Sequence, residues 1–187
     1  MFNIIFLLFL KSLSIYNNLT DKTLLSKNLK IRCSRTFFTY TNFGFICFFI
    51  VEILKKYNII FNNLNLTTIV ILTTTTIGYW LVVYPNLTIN QKNDKFGIIS
   101  DILGHGPPLI LFLLDNTFKI ETINKIIYPL ISSYFWFIFI WFPWYIITKD
   151  PLYNSLSNKL SLLTRCKTIL NINIINILSF FSLYLIN

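Results

Sequence analysis

The chain has 187 residues, 55% of them hydrophobic and 18% aromatic, and only 12% charged, with a formal net charge of +9. A soluble domain carries about 25% charged residues, so this composition excludes a water-soluble globular protein and describes an integral membrane protein. The positive balance fits Lys- and Arg-rich loops at a membrane face, and no basic segment joins a folded platform of the kind that reads nucleic acid.

Six apolar blocks follow one another along the chain, at 2–16, 37–54, 66–87, 98–118, 126–148 and 169–186. A membrane-crossing helix needs about 20 apolar residues. The blocks therefore predict an all-α fold, a polytopic transmembrane helical bundle of five to six spans, forming one integral membrane domain over residues 1–187. The first block is short and interrupted by Lys11. It has no small-residue cleavage site, so it is read as an uncleaved helix rather than a signal sequence. The second block opens on Phe37-Phe38-Thr39-Tyr40-Thr41-Asn42, the third contains the run Thr73-Thr74-Thr75-Thr76, and the fifth is the longest and most aromatic. Basic residues gather in the first, third and fifth connections: Lys22 to Arg35, then Lys92 and Lys95, then Lys149 to Lys167. This pattern predicts that the odd-numbered loops share the cytoplasmic side. The chain would sit in an endomembrane or the plasma membrane.

Cys33, Cys47 and Cys166 are widely spaced, and the chain has a single histidine. That combination predicts neither a disulfide framework nor a metal centre.

The one histidine, His105, lies inside the fourth block, in Asp101-Ile102-Leu103-Gly104-His105-Gly106-Pro107-Pro108. A titratable side chain in a span is costly and marks a candidate functional site. Asp101 is four residues earlier and shares a helical face with it, so it is expected to hold the imidazole in one tautomer. The two glycines remove bulk beside the ring, and the double proline frees backbone carbonyls that protein or water must satisfy. In the second block, Thr39 and Asn42 are three apart and share a face, with Thr39 at the mouth of the helix. A hydroxyl beside a general base can act as a nucleophile. Because the second and fourth blocks both begin at odd-numbered loops, Thr39 and His105 are expected near the same membrane face, about 5–8 Å apart in depth by helical rise. Thr41 is the rival hydroxyl, expected to face away from Thr39.

These residues resemble the androgen-induced-gene protein family, small polytopic membrane proteins that hydrolyse fatty acid esters of hydroxy fatty acids with an intramembrane threonine and histidine. The likeness covers roughly residues 35–156. It is carried by Phe38-Thr39-Tyr40-Thr41-Asn42, by Asp101, His105 and Asp115 at their spacing, and by Pro151-Leu152-Tyr153 after the aromatic span. The family often has Asn where this chain has Asp101, and a second histidine where this chain has Ile102. The resemblance implies Thr39 as nucleophile and His105 as base. Asp101 and Asn42 would support them, Asn42 or Tyr40 serving as an oxyanion donor. The substrate would be a lipid ester drawn from the bilayer, packed against Phe45, Phe48, Phe49 and the aromatic span, and no cofactor would be needed. Asp115 is expected as an interfacial cap. Two other readings fit the same residues: a non-enzymatic membrane scaffold or regulator of this fold, and a proton-coupled transporter using Asp101 and His105 as a relay.

Overall fold

The computed structural model describes residues 2–20, 29–86, 95–116, 120–149 and 161–186. They form an all-α bundle. Helix α1 is Phe2–Thr20, α2 Leu29–Phe38, α3 Tyr40–Lys56 and α4 Asn62–Gly78. Helix α4 continues as a π-helical stretch, Tyr79–Val83. Then come α5, Lys95–His105, and α6, Pro107–Asp115. The aromatic block is α7, Ile127–Phe135, a π-helical stretch Trp136–Trp141, and α8, Phe142–Thr148. Helix α9, Leu162–Ile186, closes the chain. Among the described residues, four helical segments are long and apolar enough to cross a membrane: Asn62–Leu81, Gly97–Asp115, Ile123–Thr148 and Leu162–Ile186. Asn3–Leu13 is a shorter apolar helix. These dimensions are compatible with a multi-pass membrane protein.

The threonine-rich helix is the centre of the bundle. In Asn62–Leu81, 61% of the most apolar stretch is buried within the protein, against 11–22% in the other three long segments. A helix buried on all sides needs no single apolar face, and α4 packs against α3, α6, α7 and α9. Several of its threonines bond locally or across helices, whereas the Thr68 and Thr73 hydroxyls are buried without a partner. Thr75 Oγ1 donates to the Leu72 carbonyl at 3.0 Å, and Thr74 Oγ1 donates to Asn176 Oδ1 of α9 at 2.6 Å. Asn176 also bonds Ser133 of α7 and the Tyr40 hydroxyl of α3. One buried amide thus joins four helices where hydrocarbon would offer it no partner. Around this network lie two apolar clusters. The first includes Phe48, Leu66, Ile69, Phe112 and Phe180, with Phe48 and Phe112 edge to face at 5.0 Å. The second gathers Tyr40, Cys47, Ile71, Trp136 and Trp144.

Helices α3 and α4 approach closely at Gly44. A Cβ there would sit 2.9 Å from Ile71 Cγ2, inside normal contact distance.

Two departures from the apolar blocks bear on the site. Part of the first basic connection is a helix, α2, whose Ile31 and Phe38 pack onto the second cluster. Its charge gives it the look of a loop in the sequence. The fourth block is two helices, broken at Gly106, because Pro107 and Pro108 have no N–H to continue the ladder. Lys22, Lys27, Lys92, Lys159 and the Pro151-Leu152-Tyr153 stretch lie outside the described residues.

Candidate functional site

A cavity of about 390 Å³ opens at one end of the bundle, between Leu10 near the middle of α1, the start of α3, the end of α4, α5 and the middle of α9. Thr39, Asn42, Asp101 and His105 all line it. The fold therefore brings together at one cavity the four residues singled out from sequence.

Thr39 is presented by a corner. Helix α2 ends at Phe38, Thr39 takes an extended conformation (φ −67°, ψ 153°), and α3 starts at Tyr40 with Thr39 as its N-cap. Thr39 Oγ1 accepts a hydrogen bond from the Asn42 backbone N–H at 3.4 Å and another from Asn42 Nδ2. Threonine is a preferred N-cap because its oxygen satisfies an otherwise orphaned amide at the helix start. The corner is held from outside by the aromatic segment. Trp136 Nε1 donates to the Phe38 carbonyl at 2.9 Å, and Trp144 stacks on Phe38 with ring centroids 4.5 Å apart. Neither tryptophan stands out in the sequence as a supporting residue, since an aromatic span reads equally well as lipid-facing.

His105 ends α5. Leu109 N–H donates to the Gly106 carbonyl instead of continuing the α5 ladder, and the freed His105 carbonyl takes the Thr76 hydroxyl. The Thr76 hydroxyl, which also lies 2.8 Å from the Leu72 carbonyl of its own helix, thus caps a carbonyl left open at the break between α5 and α6. The imidazole lies flat on Tyr79, with ring centroids 4.3 Å apart and planes 10° from parallel. Nδ1 is buried without a hydrogen-bond partner. The ring's polar contact is with the backbone of Thr75.

Asp101 is placed differently from the expectation that it grips the ring. Its Oδ2 accepts the Tyr79 hydroxyl at 3.0 Å. Tyr79 thus stands between carboxylate and imidazole, stacking on the one and bonding the other. Its position at the first residue of a π-helical stretch explains why α-helical spacing does not bring it forward. Extra backbone per turn of this kind is frequent at functional sites.

Other expectations are redrawn. Thr41 also lines the cavity, so it does not face away from the site. Tyr40 is buried and its hydroxyl is committed to Ser133 and Asn176 at 2.9 and 3.4 Å, which removes it as an oxyanion donor. Phe45 lines the cavity, but Phe48 is fully buried in the core beside Phe112, and Thr168, Asn171, Ile172 and Ile175 of α9 form the wall expected from the aromatic span. Asp115 lies at the opposite end of the bundle, where Asn3 Nδ2 donates to Asp115 Oδ2 at 2.6 Å and to Glu52 Oε2 at 3.2 Å. His105 Nδ1 has no hydrogen-bond partner, and the bonds given for Thr39 Oγ1 come from Asn42, so the two side chains share a cavity without a hydrogen bond between them. No group of three or more His, Cys, Asp or Glu side chains that could hold a metal ion occurs among the described residues.

Comparison with protein-family models, with curated proteins and with solved structures finds no match to this chain.

Proposed function

We propose that the chain is a multi-pass membrane hydrolase of lipid esters, in the manner of the androgen-induced-gene family, with Thr39 as nucleophile and His105 as general base. The observation that carries this reading is that Thr39 and His105, 66 positions apart in sequence, line one cavity at one end of the bundle. In this reading Nδ1, which is buried without a hydrogen-bond partner, is the nitrogen that accepts the proton. In the reaction, the Thr39 hydroxyl gives its proton to Nδ1 while Oγ1 attacks the ester carbonyl. The alcohol leaves with that proton, and an acyl-threonine remains. Water, deprotonated by the same imidazole, then releases the acid. Catalytic hydrogen bonds often tighten only when substrate is bound, and the step requires Thr39 Oγ1 and His105 Nδ1 to come within that reach. The cavity's apolar wall of Leu10, Phe45, Val83, Ile172 and Ile175 suits acyl chains arriving from a bilayer. The host would be an endomembrane or the plasma membrane.

The transporter reading needs a polar path from one membrane face to the other. Between the cavity and the Asn3–Glu52–Asp115 end, the interior holds Phe48, Leu66, Ile69, Val70 and Phe112, all with no exposed surface. That stretch is mainly apolar, and its polar members on α4 are the buried hydroxyls of Thr67 and Thr68 rather than titratable groups.

The test uses the full chain purified in detergent with a panel of lipid esters. Thr39→Ala and His105→Ala should each abolish turnover while elution and thermal stability stay those of a folded protein, and Thr41→Ala should retain it. Wild-type turnover in either of the first two variants sinks the assignment and leaves a non-enzymatic membrane scaffold or regulator.

A further inference from the structure

Lys11 interrupts the first apolar helix and is not among the residues lining the cavity. Its Nζ donates to Asn42 Oδ1 at 2.8 Å and lies 4.4 Å from the centroid of the Phe37 ring. Asn42 is buried, and its other amide atom, Nδ2, donates to Thr39 Oγ1. A chain of two hydrogen bonds therefore runs from a lysine in α1 through an amide to the candidate nucleophile. Helix capping accounts for the Asn42 backbone bond to Thr39. It does not account for a lysine in an apolar helix reaching the amide behind it.

We infer that Lys11 is a positioning residue for Thr39, acting through Asn42. This rests on the hydrolase reading of the same cavity. The physical basis is the asymmetry of the two groups. An ammonium has three donors and no acceptor, whereas an asparagine amide presents an acceptor at one end and donors at the other. Lys11 therefore forces Oδ1 to its own side and Nδ2 toward Thr39. With Nδ2 donating, Thr39 Oγ1 accepts, and the hydroxyl proton stays directed away from Asn42 and available to a base. Lys11 also polarises the amide, which strengthens the Nδ2–H bond to the oxygen as that oxygen gains negative charge. Without Lys11, the amide is free to turn over. Oδ1 then accepts the Thr39 hydroxyl and holds the proton that must leave.

The experiment measures the rate at which a fluorophosphonate labels the detergent-purified full chain. Labelling forms a Thr39 Oγ1–phosphorus bond, expels fluoride and passes the hydroxyl proton to the imidazole, so it reads the nucleophile without the natural ester. The variants are Lys11→Met, Asn42→Ala and both together. Lys11→Met should label about tenfold more slowly, the size of effect expected of one charge-assisted hydrogen bond. On an ester that the wild type cleaves it should lower kcat with KM unchanged. In the Asn42→Ala background, replacing Lys11 should change nothing further. If Lys11→Met gives no folded protein, Lys11→Gln, which is shorter and uncharged, is read by the same criteria. Labelling of Lys11→Met at the wild-type rate overturns this inference alone, and so does an equal loss with and without Asn42. A wild type that takes no label, or a Thr39→Ala variant that takes it, overturns the hydrolase reading and this inference with it.

Discussion

At the scale of single residues, the site turns on the partners of His105. One imidazole nitrogen, Nδ1, has no partner, while the ring contacts the Thr75 backbone and the His105 carbonyl takes Thr76. Tyr79 makes two contacts, the stack on His105 and the bond to Asp101, and conservative substitutions separate them. Tyr79→Phe keeps the stack and loses the bond, and is expected to lower turnover no more than about tenfold, since one hydrogen bond is worth about 1 kcal/mol net. Tyr79→Leu loses both and should lower it further. Steady-state rates on one lipid ester compare the two, and equal rates would assign no role to the ring face. Asp101 and His105 were legible in the sequence as a pair on one helical turn. Tyr79 was not, because the contact comes from another helix and a π-helical register.

At the scale of elements, two glycines predict opposite outcomes. Gly44 is where α3 meets α4, and a methyl group would press on Ile71 Cγ2 at 2.9 Å, a branch held rigidly next to its own Cβ. Gly44→Ala should lower stability by about 1–3 kcal/mol, the range for overpacking. At Gly104, a methyl carbon would have no neighbouring atom within 4 Å. Gly104→Ala should leave stability unchanged or raise it by up to about 1 kcal/mol, since alanine favours the helix. Thermal unfolding of the two variants in the same detergent distinguishes them, and a destabilised Gly104→Ala would contradict the open space beside α5. The break at Gly106 was legible from Pro107 and Pro108. Its consequence for Thr76 was not, because the threonine that donates to the freed carbonyl lies 29 positions away.

At the scale of the whole molecule, one amide ties the bundle together. Asn176 is 1% exposed and bonds Thr74, Ser133 and Tyr40 from three other helices. Interhelical hydrogen bonds in membrane proteins average about 0.6 kcal/mol and reach about 1.7. Asn176→Leu breaks several at once and leaves buried hydroxyls behind, so a loss of about 1–3 kcal/mol is expected from denaturant titration in detergent. A loss below about 0.5 kcal/mol would mean that the hydroxyls find partners among themselves. The same network sets the position of Tyr40, next to the candidate nucleophile, so this variant should also slow labelling of Thr39.

Composition alone makes this chain compatible with a helical membrane protein, because long apolar blocks with few charges can satisfy their backbone in hydrocarbon as helices. Local sequence also located the break at Gly106, since two consecutive prolines remove two donors where Pro129 and Pro143 each remove one within a continuing helix, and it singled out Thr39 and His105, since polar groups in apolar blocks are conspicuous. Only the tertiary structure decided which of these groups meet. Helical periodicity says which residues share a face of one helix, but not which face of another helix it will find. For that reason Tyr79 rather than Asp101 lies against the imidazole, Trp136 holds the Phe38 corner, and Lys11, a lone charge in a short apolar helix, reaches Asn42.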